Sequence, residues 1–302
     1  MKYFSLSLVF SLLHLHPVFG AQGLRKGKSD SSKESARPEG RELSDGKYFD
    51  RFLTIWLENV DWKVAIADDY FKYLATQGTL FSNFRAVGRP SYPNYIGMIA
   101  GSTFGIDQND QITLQERGLH DLLENRDLTW KNYAEDYPGN CYLNDGKGTY
   151  VRRHVPFLSF SSVQDDSQRC NNIVNADEFE TDWKNKQLPN FSLYVPNQDN
   201  NAHDTSIGYA SDWLKSFLDP LLSDSDRMDG TMIQIVFDEP SKDVMSNLHV
   251  YNIFLGPMVK KGLVVDKVYD HYDVLKTVEE NFNTGSLGQE DEAATAISGI
   301  WS

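Results

Sequence analysis

Short apolar runs that end in polar pairs constrain this chain more than any other feature. Thr231-Met232-Ile233-Gln234-Ile235-Val236-Phe237 is the strongest of them, and it stops at Asp238-Glu239. Phe52-Leu53-Thr54-Ile55-Trp56-Leu57 stops at Glu58-Asn59. Phe191-Ser192-Leu193-Tyr194-Val195 runs into Pro196-Asn197 and a polar loop that reaches His203-Asp204. Runs of this length and composition read as buried strands. Thr79–Phe84, Trp130–Glu135 and Val250–Leu255 read the same way. Between them, Asp68–Thr76, Leu119–Asn125, Ile207–Leu218 and His271–Phe282 have helical spacing. Strands alternating with helices predict an α/β fold, a mostly parallel central sheet with helices on both faces. In such a sheet the C-terminal strand ends share one edge, where ligands bind.

One loop feeds that edge. In Val87-Gly88-Arg89-Pro90-Ser91-Tyr92-Pro93-Asn94-Tyr95, two prolines flank Ser91 and restrict its backbone. Tyr95, Ile96, Ile99 and Ala100 then follow at helical spacing, and Gly101 is a plausible stop. Ser91 is therefore expected just before a helix N-terminus, where partial positive charge and free N–H groups hold a phosphate. The plain alternative is a capped turn before an ordinary helix.

Glu58, Asn59, Asp238 and Glu239 are hard oxygen donors suited to one divalent cation, Mg, Ca or Mn, with Zn a further candidate. Such an ion beside Ser91 would activate its hydroxyl. His203, next to Asp204, and His249, just before a strand, could contact phosphate or serve as general acid. His120 lies in an amphipathic helix and reads as structural. There is no G-x-S-x-G elbow, Walker loop, H-E-x-x-H or dinucleotide glycine pattern.

The chain has 302 residues and a formal net charge of −14. That charge argues against a nucleic-acid partner and suits a protein working in acid. Lys2, the apolar Phe4–Leu15 and the Val18-Phe19-Gly20 step to Ala21 read as a signal peptide over residues 1–20. A signal-anchor is the alternative; no later segment reads as a membrane span, so no stable membrane insertion is expected. The protein is expected outside the cell or in the cell wall. Residues 21–47 read as a disordered linker and 48–302 as the catalytic domain. In that compartment the only two cysteines, Cys141 and Cys170, read as one disulfide rather than two buried thiols. It would close a capping loop rich in Gly, Asn and Pro that runs from Asp136 to Asp166.

Taken together, these segments resemble the secreted phosphoesterases that include fungal and bacterial acid phosphatases and phosphatidylcholine-type phospholipases C, within the alkaline-phosphatase-like superfamily. The resemblance rests on Glu58-Asn59 with Trp62, Pro90-Ser91-Tyr92-Pro93-Asn94-Tyr95 with Ala100-Gly101, and Trp130-Lys131 with Tyr133-Ala134-Glu135. It continues through Arg153-His154-Val155-Pro156-Phe157, Pro189–Ser192 with Val195-Pro196-Asn197, His203-Asp204, Phe237-Asp238-Glu239 and the His271-Tyr272 segment. It implies one metal held by Glu58, Asn59, Asp238 and Glu239, with Ser91 as ligand and nucleophile. His203, Asp204 and His249 would line the phosphate pocket, with Asn197 and His154 contacting substrate at its rim. Pro240-Ser241-Lys242-Asp243 departs from the Gly-rich continuation of relatives. The expected activity is hydrolysis of small phosphate monoesters through a phosphoserine. Two alternatives are a phospholipase C, which needs an apolar groove between Tyr137 and Phe160, and a non-catalytic binding protein on the same fold.

Overall fold

A computed structural model of the chain describes residues 45–241 and 248–302. The expected signal peptide, most of the expected linker and the Lys242-Asp243 step lie outside the described residues. The strands, in chain order, are β1 Arg51–Leu57, β2 Thr79–Phe81, β3 Phe84–Arg85, β4 Trp130–Ala134, β5 Gly146–Lys147 and β6 Tyr150–Val151. They continue with β7 Ile173–Asn175, β8 Phe191–Val195, β9 Thr231–Phe237, β10 Asn252–Leu255, β11 Leu263–Val265 and β12 Tyr269–Asp270.

Eight of them form one sheet in the order β11-β2-β10-β9-β1-β8-β4-β7. β1 pairs in parallel with β8 and β9, and β4 in parallel with β8 and β7. All seven residues of β9 are buried. Consecutive burial means both faces are covered, which explains why its sequence is a continuous apolar run rather than an alternation.

Two expected strands differ in detail. The Thr79–Phe84 run breaks at Ser82-Asn83, so β3 leaves the main sheet and pairs with β12. The polar break is held elsewhere: Ser82 N and Asn83 Nδ2 donate to the Val265 and Asp266 carbonyls. β10 is antiparallel to both β9 and β2. Its link back from β9 contains no described helix, and a parallel neighbour would need a crossover, usually helical.

The helices follow their caps. Asp68 Oδ1 accepts from Tyr70 N and Phe71 N at the start of Asp69–Gln77. Asp270 and Asp273 form a capping box at the start of His271–Phe282. The helix expected to end at Leu218 instead runs Ile207–Ser223, through Pro220. Tyr70 OH donates to Asp219 Oδ1 at 2.7 Å and buried Leu221 lies beyond, so tertiary contacts carry the helix past its proline.

The expected excursion over 136–166 is closed by the Cys141–Cys170 disulfide. It is more anchored than a loose cap: it holds the β5–β6 hairpin and two 3-10 turns, Arg152–His154 and Pro156–Ser159. Both turns pack on the Ser91–Ala100 helix, and Phe157, Leu158 and Phe160 belong to the core.

Candidate active site

Register brings the carboxylates together. Leu57 of β1 sits opposite Phe237 of β9, so Glu58 and Asp238 leave the sheet side by side. Asp238 N donates to the Leu57 carbonyl at 3.0 Å, and Asn59 N donates to Asp238 Oδ1 at 3.0 Å. Asn59 has φ 56°, a left-handed conformation that asparagine tolerates better than most residues. Its amide nitrogen donates to Glu58 Oε2 at 2.9 Å.

Ser91 enters from the third side. It is the first residue of the Ser91–Ala100 helix, and Pro90 is the N-cap, so Ser91 lies just inside the helix rather than before it. Pro93 is tolerated in this first turn because its missing N–H would have no helical partner. The loop is mounted chiefly by Asn94. Its Oδ1 accepts from Val87 N and Gly88 N, and its Nδ2 donates to the Gly88 and Pro90 carbonyls. Gly101 ends the helix at φ 69°, where a Cβ would meet Asp291 Oδ1 at 2.4 Å. The Ser91 hydroxyl is buried and reaches Glu58 Oε2 at 3.0 Å and Glu239 Oε1 at 3.3 Å.

Crowded buried carboxyls resist ionisation. Burial raises Glu58 to about 7, against the opposing pull of Tyr95, His203, Ser91 and Arg153. Burial raises Asp238 well above the usual carboxylate range, and the charges of Glu58 and Glu239 add to it. Two buried oxygens at this point, Asn59 Oδ1 and Asp238 Oδ2, lack hydrogen-bond partners. Unsatisfied buried oxygens facing mutually repelling carboxyls fit a hard cation, and every donor in the set is oxygen. Among the described residues no three His, Cys, Asp or Glu side chains are arranged to hold an ion by themselves. The proposed set has three carboxylates and needs the Asn59 amide and the Ser91 hydroxyl to complete it.

The histidines separate. The charge of His203 reaches Glu58 and His154, and its Nδ1 pairs with Asp204 Oδ1 at 2.7 Å. His154 is 1% exposed, so it lies inside rather than on a rim. Its Nε2 is 3.2 Å from Glu58 Oε1, outside hydrogen-bond geometry, and burial with the charges of Arg153 and His203 holds it well below the usual histidine range. His249 stacks on Trp62 at 4.8 Å and pairs across a β-bridge with Arg85. Burial and the Arg85 charge lower its pKa, with a hydrogen bond to Ser82 opposing them. Asn197 is absorbed into its own loop. Its Nδ2 donates to Asp136, and its Oδ1 accepts from Asp199 N and Asn200 N. His120 is buried between Trp130, Phe157 and Phe160, in keeping with a structural role.

Four residues at the site lie in segments named in the sequence analysis but were given no role there. Tyr95 donates to Glu58 Oε1 at 2.6 Å from one turn after Ser91, a spacing that does put both on one helix face. Arg89 Nε donates to Glu239 Oε2 at 2.8 Å. His271 Nε2 meets the Asp238 carbonyl at 3.0 Å, and the Arg153 charge reaches Glu58, Tyr95 and His154. No local signal marks these three.

In the stretch from Tyr137 to Phe160, where an apolar groove was expected for a phospholipase, most aromatic side chains are packed inward, while Tyr142 is half-buried and Leu143 is exposed. Tyr137, Tyr150, Phe157 and Phe160 are all core residues at 2% exposure or less. Among the described residues no helix is long and apolar enough to cross a membrane.

Comparison with known proteins agrees with this architecture. The chain is 37% identical over 301 residues to an acid phosphatase of Aspergillus fumigatus, covering 93% of this chain and 66% of that one. It is 36% identical over 262 residues to a phosphate-repressible acid phosphatase of Penicillium chrysogenum, covering 83% and 63%. The chain thus spans just under two thirds of these relatives' length. A solved alkaline phosphatase superfamily protein from Vibrio parahaemolyticus superposes with a TM-score of 0.55 at 13% identity, over 81% of this chain and 70% of that one. The α/β fold with its mostly parallel sheet is therefore shared with that protein. The Phosphoesterase family matches residues 65–285, and the chain belongs to that family.

Proposed function

We propose that the chain is a secreted acid phosphatase that hydrolyses small phosphate monoesters with Ser91 as nucleophile. The observation that carries this reading is the position of the Ser91 hydroxyl, buried at a helix start within hydrogen-bond reach of both Glu58 and Glu239. The names of the fungal relatives support the phosphatase class.

A divalent cation held by Glu58, Asn59, Ser91, Asp238 and Glu239 would lower the pKa of the serine hydroxyl and neutralise phosphoryl charge. Ser91 Oγ forms the bond to phosphorus as the bond to the leaving oxygen breaks in line. Glu58 and Glu239 are the acceptors within reach of the hydroxyl proton. His203, paired through Nδ1 with Asp204, would hand a proton to the departing alcohol. Water then cleaves the phosphoserine and restores the hydroxyl. The backbone N–H groups of the first turn supply further anion stabilisation.

Ser91→Ala tests the assignment with p-nitrophenyl phosphate at about pH 5. The expected loss in kcat is at least about a thousandfold. Turnover close to wild type would overturn the nucleophile. Parallel assays on phosphatidylcholine separate this reading from a phospholipase C, which would turn over the lipid faster than the soluble monoester.

A further inference from the structure

Four buried rings from four separate segments form a row of successive contacts, the two outer pairs stacked and the middle pair tilted by 37°. His154 lies against Tyr95 with centroids 4.9 Å apart, Tyr95 against Trp56 at 4.7 Å, and Trp56 against His271 at 4.6 Å. None is more than 1% exposed. His154 comes from the 3-10 turn of the capping excursion, Tyr95 from the nucleophile helix, Trp56 from β1 and His271 from the start of the last long helix.

The row touches both neighbouring strand ends. At one end Tyr95 OH donates to Glu58 Oε1 at 2.6 Å, with His154 Nε2 at 3.2 Å from the same oxygen. At the other end His271 Nε2 meets the Asp238 carbonyl at 3.0 Å. Trp56 is two residues before Glu58 and is itself fixed, because its Nε1 donates to Thr54 Oγ1 at 2.8 Å. Asp270 caps the helix that carries His271, so that ring is also held at its base. Phe84 packs edge-on against His271 at 5.3 Å. Rings packed this way have few rotamers to lose, so they can hold a distance that flexible side chains could not.

We propose that this row is a positioning device, in which Tyr95 and His271 act through Glu58 and Asp238 to hold the two carboxylates at the separation a cation requires. The assignment rests on Glu58 and Asp238 being ligands, as proposed above. Tyr95 fixes the rotation of the Glu58 carboxyl, leaving Oε2 toward Ser91 and Asn59. His271 fixes the height at which β9 releases Asp238. Groups that orient metal ligands in this manner typically change affinity or activity by about 10- to 100-fold when removed.

Mn²⁺ binding to the purified full-length chain, followed by calorimetry and by the electron paramagnetic resonance of free Mn²⁺, tests the proposal. Tyr95→Phe removes one oxygen and keeps the ring. It is expected to weaken Mn²⁺ binding by about tenfold or more and to lower kcat with little change in KM. His271→Leu is expected to do the same, and His271→Gln, which keeps a donor, to recover part of the affinity. Phe179→Leu, in a buried ring cluster outside the row, is the control. It is expected to lower the melting temperature and leave Mn²⁺ affinity unchanged. Mn²⁺ affinity within twofold of wild type in both Tyr95→Phe and His271→Leu would overturn the proposal while leaving the cation site standing. Absence of Mn²⁺ binding by the wild-type chain would overturn the cation site and this assignment with it.

Discussion

Arg89 Nε donates to Glu239 Oε2 at 2.8 Å, across 150 positions of sequence. Ser91, two residues after Arg89, reaches the other oxygen of that carboxylate at 3.3 Å. One short loop therefore supplies both the hydroxyl and the cation that orients one of its acceptors. The guanidinium also donates through Nη2 to the Pro240 carbonyl at 2.9 Å, which ties the loop to the chain beyond β9.

Replacing Arg89 should separate charge from geometry. Arg89→Ala is expected to lower kcat on p-nitrophenyl phosphate by about tenfold or more, since Glu239 would lose a charged donor while remaining buried. Arg89→Lys keeps the charge but not the planar fork, and an intermediate kcat is expected. Steady-state kinetics of the two variants, with circular dichroism to confirm folding, is the measurement. Equal kcat in all three proteins would show that Arg89 does not orient the carboxylate.

Stability should rise toward acid through Glu279. Burial, and then its contact with Asp291, raise Glu279 from 4.5 to about 8, with Lys276 opposing. Burial works against Asp291 as well, yet donors from Ser286, Gln289 and Leu287 outweigh it and keep that carboxyl below its ordinary value. The folded state thus holds the Glu279 proton more tightly than the unfolded state does. Its contribution is complete below pH 4.5 and is lost as pH rises through about 8. Urea unfolding of wild type and Glu279→Gln at pH 5 and pH 8 checks this. The variant is expected to gain strongly relative to wild type at pH 8 and to gain much less at pH 5.

The disulfide should matter more to folding than to chemistry. Cys141 and Cys170 are separated by 29 positions, and in the chain-entropy account closing such a loop contributes about 3–4 kcal/mol. The Cys141→Ser, Cys170→Ser double variant is expected to lose roughly that amount in urea unfolding. Its turnover at low temperature is expected to stay within severalfold of wild type. The two 3-10 turns meet the nucleophile helix inside the core, the first through His154 stacked on Tyr95 and the second carrying the buried Phe157 and Leu158.

Sequence by itself determined the periodic features of this protein. β1, β8 and β9 are continuous apolar runs because a sheet covered on both faces demands them, and each stops at the polar residues that meet the edge. The helices at Asp69, Ser91 and His271 were legible from spacing, with Gly101 as a stop. Glu58, Asp238 and Ser91 were likewise visible, as strand-end or loop residues whose chemistry stood out against their neighbours.

Tertiary structure decided what those residues meet. Register alone sets Glu58 beside Asp238, and register depends on every pairing in the sheet, not on either residue. Asn197 and His249 carry suitable chemistry at suitable places in the chain, yet one is tied up by its own loop and the other stacks on Trp62. Arg89, Tyr95 and His271 gain their roles only because loop, helix and strand end are packed together in space. No periodicity records such contacts, since each joins residues far apart in sequence through side chains whose local pattern is that of an ordinary loop or core.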